Sequence, residues 1–309
     1  FQAPTIAALA KLIQQGESDT AWSSLVPIRA GGSKPPFFCV HGVTGDILWL
    51  KELAFLMDEE QPFFGIQAKG LDGEAEPFDQ LEEMAEFYVQ QIRQVQPEGP
   101  YYLGGYCMGG DIAYEMARQI KAQGEEVPIL AVIDPPPANL SERAPLNGRF
   151  VIDFVHNSPY WLREFMRLGG NEISSRLRRK GRVALRTLWQ KIRTKSEEAG
   201  MNATEVIDQA DELPEYRQKL IESHLHALLH YTHPGYDGEV IVFEAQSRPL
   251  LNPGASASEW HNYVDRPIIL QTVQGSHSSM LHQPHVQTLA QYLQQGLDKA
   301  KSLPAVPTP

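Results

Sequence analysis

Cysteine is almost absent: Cys39 and Cys107 are the only two in 309 residues. Two thiols make no disulfide framework. A chain of this length can build a sufficient core without disulfides or metal ions. No run of about 18 apolar residues occurs and no secretory leader pattern is present, so no membrane-spanning helix is expected. A reducing, cytoplasmic setting fits these absences. Positive charge is also scarce. Lys and Arg number 27 against 38 Asp and Glu, and the net charge of -11 argues against general nucleic-acid binding. There is no internal repeat. The first residue is Phe1 rather than Met, which predicts a piece of a longer polypeptide.

What is present is an alternation of short apolar runs with longer helical patterns. Strands are predicted at 37–41, 62–67, 101–105 and 128–133. Helices are predicted at 47–57, 78–95 and 111–123. Met84, Phe87, Tyr88 and Ile92 recur at helical spacing in the second helix. Short apolar strands separated by helices imply a mostly parallel central sheet covered on both faces. The alternation stops at Pro135-Pro136-Pro137. From about 138 to 231 only helical patterns appear. Strands then resume at 239–245 and 267–273, and a last helix begins near Pro284. The simplest account is a helical insertion between two strands of one sheet, and such insertions beside a site commonly act as lids. An independent helical domain is the alternative. Within it, Phe150, Phe154, Tyr160, Trp161, Phe165 and Trp189 suit either an apolar channel or helix packing.

Residues 104–110 read Gly-Gly-Tyr-Cys-Met-Gly-Gly, directly after Tyr101-Tyr102-Leu103. This is the strand–turn–helix pattern G-x-S-x-G of a nucleophile elbow, with Cys107 in the serine position. The helix that follows would place the positive end of its dipole beside the thiol. Such a nucleophile needs an orienting acid and then a base, in that chain order. Asp134 ends the strand Ile129–Ile133, at the carboxyl edge where open α/β sheets carry their sites. Asp265 lies at the wrong edge, and Glu244 is a weaker candidate. His277, in Gly275-Ser276-His277 after the last strand, stands where the base is required. His282 and His285 read as surface or helix-start residues. His224, His226, His230 and His233 form a cluster, but no carboxylate or cysteine pattern completes a metal site, so a solvated or packed helix face is expected.

An oxyanion hole needs two backbone N–H groups aimed at the developing negative oxygen. Met108, after the nucleophile, supplies one. The loop His41-Gly42-Val43-Thr44-Gly45, after the first predicted strand, supplies the other, with Val43 the candidate. His41 is expected to shape this loop rather than serve as a base.

Several segments together carry a family resemblance. They are Phe38-Cys39-Val40-His41-Gly42-Val43, the run from Gly65 to Gly73, Gln96-Pro97-Glu98-Gly99-Pro100-Tyr101, the elbow itself, Leu130-Ala131-Val132-Ile133-Asp134, and Gly275-Ser276-His277. The sequence resembles the type I thioesterase domains, of α/β-hydrolase fold, that end non-ribosomal peptide synthetases and related polyketide synthases. The family's triad positions fall on Cys107, Asp134 and His277. Most of the family has serine at the first, and a natural cysteine variant is known within it.

The resemblance implies no bound cofactor. It implies a substrate delivered on the phosphopantetheine arm of an acyl or peptidyl carrier domain of the same synthase, without nucleic acid or membrane as partner. Residues 1–15 look like the last helix of such a carrier. On this reading 16–24 is a linker, 25–302 the thioesterase domain with its insertion at about 138–231, and 303–309 a disordered tail. The implied reaction passes an acyl chain from carrier thioester to nucleophile and then releases it as an acid or a ring. Release through an acyl-Cys107 intermediate by macrocyclisation or strained-ring closure is expected, since a thioester acyl-enzyme stays activated, and hydrolytic release or editing is the alternative. A stand-alone hydrolase of the dienelactone type and a catalytically silent docking module are two others, disfavoured by the long insertion, the carrier-like start and the complete triad.

Overall fold

The structure, a computed structural model, describes residues 22–136, 148–167, 212–248 and 257–302. The expected carrier helix at 1–15, positions 16–21 of the linker, the tail at 303–309, Trp189 and the middle of the insertion lie outside these residues.

Seven strands form one sheet in the order β1-β3-β2-β4-β5-β6-β7. They are β1 (Leu25–Arg29), β2 (Phe37–Val40), β3 (Phe63–Ile66), β4 (Tyr102–Tyr106), β5 (Ile129–Ile133), β6 (Val240–Ser247) and β7 (Ile269–Ser276). Every pairing is parallel except β1 with β3. The α helices are α1 (Leu50–Leu56), α2 (Leu81–Arg93), α3 (Met108–Ala122), α4 (Gly148–Arg167), α5 (Glu215–His230) and α6 (Val286–Ser302). This is the mostly parallel, two-sided sheet expected from the alternation, in the α/β-hydrolase arrangement that the resemblance implied. β1 is the addition. Its Pro27 lacks a backbone donor, which an edge strand tolerates.

The two faces of the sheet bury two separate clusters, and residue alternation along the strands decides which side chain joins which. Phe38, Val40, Leu103, Leu130 and Val132 pack under α2 and α3. Phe37, Cys39, Tyr102, Ile129, Ala131 and Ile133 pack under α1 and α6. Fully apolar strands such as β5 follow from this two-sided burial.

The two described pieces of the predicted insertion, α4 and α5, are both helical, as the patterns required. β5 and β6 pair directly, so the insertion leaves the sheet at one strand and returns at the next in space. Both helices flank the carboxyl ends of the strands. α4 reaches the β7 side through Glu164, and α5 reaches the loop after β2 through His224.

Candidate active site

Cys107 sits between β4 and α3 with φ 55 and ψ -129. A non-glycine residue there is strained by about 1–3 kcal/mol. Tight packing holds it in place. Its N–H donates to Ile133 O at 2.8 Å, and its own C=O accepts from Gly110 N–H at 2.9 Å. A Cβ on Gly105 would lie 1.9 Å from Gly109 O, and one on Gly109 would lie 2.3 Å from His41 O. Real side chains do not approach so closely, so the two glycines that flank the nucleophile are required by contact. The turn leaves the thiol partly exposed at the start of α3, whose first N–H groups have no intrahelical acceptor.

Asp134 follows β5 with φ 44, a second left-handed residue. Its N–H continues the β5–β6 ladder to Phe243 O at 2.7 Å. The carboxylate is then held at both oxygens. Oδ1 accepts the Ala245 N–H at 2.7 Å, and Oδ2 accepts Nδ1–H of His277 at 2.6 Å. With Nδ1 engaged, Nε2 is left for the thiol, and the His277 ring is within hydrogen-bonding reach of Cys107. The structure thus brings Cys107, Asp134 and His277 together in the predicted chain order.

The electrostatics follow from this geometry. Burial opposes the charged form of His277. The negative charge of Cys107 and the bond to Asp134 outweigh it, and its pKa is raised to about 10. The arrangement favours the charged form of the His277 ring.

Tyr106 carries a role that spacing alone did not signal. Its ring stacks on His277, with centroids 4.6 Å apart and planes 23° from parallel. Its hydroxyl donates to His277 O at 2.9 Å. Trp49 packs tilted against Tyr106, with ring centroids 4.8 Å apart. The residue before the nucleophile therefore fixes both the ring and the backbone of His277. An aromatic residue at that elbow position was the available signal.

The other candidates have other partners. Glu244 forms an ion pair with Arg248. Asp265 donates its N–H to Tyr236 O at 3.0 Å. His282 is exposed near Glu52. His285 precedes α6 as expected, yet it is buried and faces Glu164 at 3.6 Å. His226 and His230 stack on each other along α5, while His233 bonds Asp111 at 2.8 Å. Among the described residues no cluster is placed to hold a metal ion.

His41 and His224 are both buried and lie face to face, 5.0 Å apart. Burial lowers His41 to about 3 and His224 to about 4, so both are neutral near pH 7. A neutral His41 bonded into the 42–45 loop suits a structural task. That loop, with Val43, lies beside the start of α3, since Gly109 touches the His41 and Val40 carbonyls. Met108 is the first residue of α3.

Comparison with known proteins places the chain in a family. A model of the "Thioesterase domain" family matches residues 35–295. Malpinin synthetase of Mortierella alpina is 46% identical over 138 residues, which are 44% of this chain and 2% of that protein. Chondramide synthase cmdD of Chondromyces crocatus is 27% identical over 330 aligned residues, covering 100% of this chain and 8% of its own. The chain therefore spans a small fraction of these relatives. Among solved structures, a holo four-domain nonribosomal peptide synthetase bound to AMP and glycine superposes with a TM-score of 0.63. It is 21% identical, and the match covers 98% of this chain and 22% of that one. With one family model running from just before β2 into α6 and the elbow inside it, the chain belongs to the thioesterase domain family.

Proposed function

We propose that this domain releases an acyl or peptidyl chain from the phosphopantetheine thioester of a carrier domain through an acyl-Cys107 intermediate, and that release closes a ring. The observation that carries this reading is the thiol at the elbow, beside an imidazole that Asp134 holds by Nδ1.

In the first step the Cys107 thiolate attacks the thioester carbonyl. The tetrahedral oxyanion lies against the N–H groups of Val43 and Met108. The C–S bond to the carrier then breaks, and His277 gives its proton to the departing phosphopantetheine thiolate. In the second step neutral His277 takes the proton of an amine or hydroxyl within the chain. That group attacks the acyl carbon, the bond to Cys107 breaks, and the thiolate is regenerated beside an imidazolium. Asp134 keeps the ring in the required tautomer throughout.

Cysteine supports ring closure in particular. Exchange of one thioester for another keeps the acyl group activated, whereas a serine would leave a less reactive oxoester. A thiol is also intrinsically the stronger nucleophile. Plain hydrolysis would gain less from that retained activation. The carrier as partner is supported by the synthetase relatives and by the carrier-like sequence at 1–15.

The test uses an N-acetylcysteamine thioester of a hydroxyl-terminated acyl chain. Intact-protein mass spectrometry should find the acyl adduct on Cys107 and lose it in His277→Ala. Cys107→Ser should still transfer the acyl group, but with slower cyclisation and a larger linear fraction. Absence of the adduct overturns the acyl-Cys107 route. An unchanged ratio of cyclic to linear product overturns the activation argument and leaves hydrolysis and closure equally served.

A further inference from the structure

A buried set of polar groups behind the 42–45 loop is not used by the triad, and the chemistry of its ends fixes the direction of every bond in it. Gly42 O lies 2.6 Å from His41 Nδ1. A carbonyl oxygen only accepts, so Nδ1 carries the proton and donates. His41 is neutral, so Nε2 then holds a lone pair. Its partner, 2.8 Å away, is the Tyr88 hydroxyl, which must donate. His41 and Tyr88 are both fully buried, so water does not compete for these bonds. His224 stacks on His41, and its own Nδ1–H donates to Val43 O at 2.8 Å.

The bonds run one way: Tyr88 O–H to His41, His41 N–H to Gly42 O. The last acceptor belongs to the peptide unit that joins Gly42 to Val43. Its other polar end is the Val43 N–H, assigned above to the oxyanion. A peptide that accepts at its oxygen is polarised toward stronger donation at its nitrogen, and chained bonds reinforce one another by about 10–30% each.

We propose that Tyr88 and His41 are positioning residues that orient and polarise the Gly42–Val43 peptide as an oxyanion donor, with His224 of α5 holding the next carbonyl of the same loop. The proposal rests on the acyl-transfer reading, and on Val43 as a donor within it.

Two reactions of Cys107 separate this role from a general structural one. Acylation by a small soluble thioester builds an oxyanion. Alkylation by iodoacetamide does not, and reports only thiolate reactivity. Tyr88→Phe keeps the ring and removes the relay's hydroxyl. It should slow acylation by about 3- to 10-fold through kcat, since a whole oxyanion donor is worth roughly 10²–10³. KM and the alkylation rate should stay unchanged. Equal losses in both reactions, or loss in neither, overturn the proposal. Nitrogen NMR of the wild-type protein at pH 7 should find His41 protonated at Nδ1 alone, and protonation at Nε2 overturns it without any variant. Val43→Pro removes the donor, with Val43→Ala as the control for the side chain. Slow Val43→Pro beside normal Tyr88→Phe defeats the relay alone. Normal acylation by Val43→Pro defeats the oxyanion assignment and the relay with it.

Discussion

At the scale of single residues, the chemistry depends on which charge stabilises which. His277 gains its raised pKa against the effect of burial, from the charge on Cys107 and the bond to Asp134. The folded value, about 10, lies above the ordinary 6.5. A raised value means that the charged ring stabilises the fold fully below about pH 6.5. That contribution fades as pH rises toward 10 and is gone above it. The side chain is 48% exposed, so solvent screens part of the effect. Removing the thiol should reveal the largest favourable source. In Cys107→Ala, the His277 pKa followed by proton NMR should fall well below its wild-type value. The urea-midpoint difference between wild type and His277→Gln should shrink from pH 6 to pH 10. A His277 pKa that is the same with and without the thiol would assign its shift to Asp134 alone.

At the scale of elements, the parts that the sequence shows and the parts it hides differ for physical reasons. Cys107, Asp134 and His277 each follow a strand of the parallel sheet, so motif and chain order locate them without coordinates. The strands β2 to β6 are wholly or mostly buried runs, which advertise themselves, and the half-exposed edge strand β7 is marked by Ile268, Ile269, Leu270 and Val273. β1 does not: Leu25-Val26-Pro27-Ile28-Arg29 is short, contains proline and pairs on one side only. Helix ends were overextended by a few residues, because 78–80 and 94–95 carry helical composition but α2 spans Leu81–Arg93. Contacts between distant elements were not legible at all. Glu164 of α4 accepts the Ser279 hydroxyl at 2.7 Å, and that hydroxyl oxygen accepts the Ser276 N–H at 2.8 Å. The insertion's first described helix thereby holds the segment that carries His277. Glu164→Ala removes an acceptor worth about 1 kcal/mol. Amide exchange across 276–279 should quicken by roughly fivefold, acylation should slow with it, and Glu164→Gln should restore most of both. Exchange unaltered in Glu164→Ala would mean that α4 lies on this segment without bracing it.

At the scale of the whole molecule, charge is unevenly distributed along the chain. The net charge is -11, yet 176–195 holds nine Lys and Arg and no acidic residue. This stretch lies in the expected insertion, outside the described residues. Such a segment in an acidic protein either balances the body's own charge or meets a partner. Carrier domains of the synthases that this sequence resembles are typically acidic. A basic segment would raise the encounter rate of a carrier that brings its thioester to Cys107, by long-range attraction that salt weakens. The two possibilities separate by substrate. Changing Arg178, Arg179 and Arg182 to Glu should slow acylation by a carrier-bound thioester while leaving a small soluble thioester nearly untouched. The carrier-bound rate of the unaltered protein should also fall with added salt, since screening shortens to about 8 Å at physiological ionic strength. A neutral small thioester has no charge to steer, so its rate should be flat over the same range. If both substrates lose equally, or if salt has no effect on the carrier-bound rate, the basic stretch serves the insertion's own structure and the carrier finds the site by another surface.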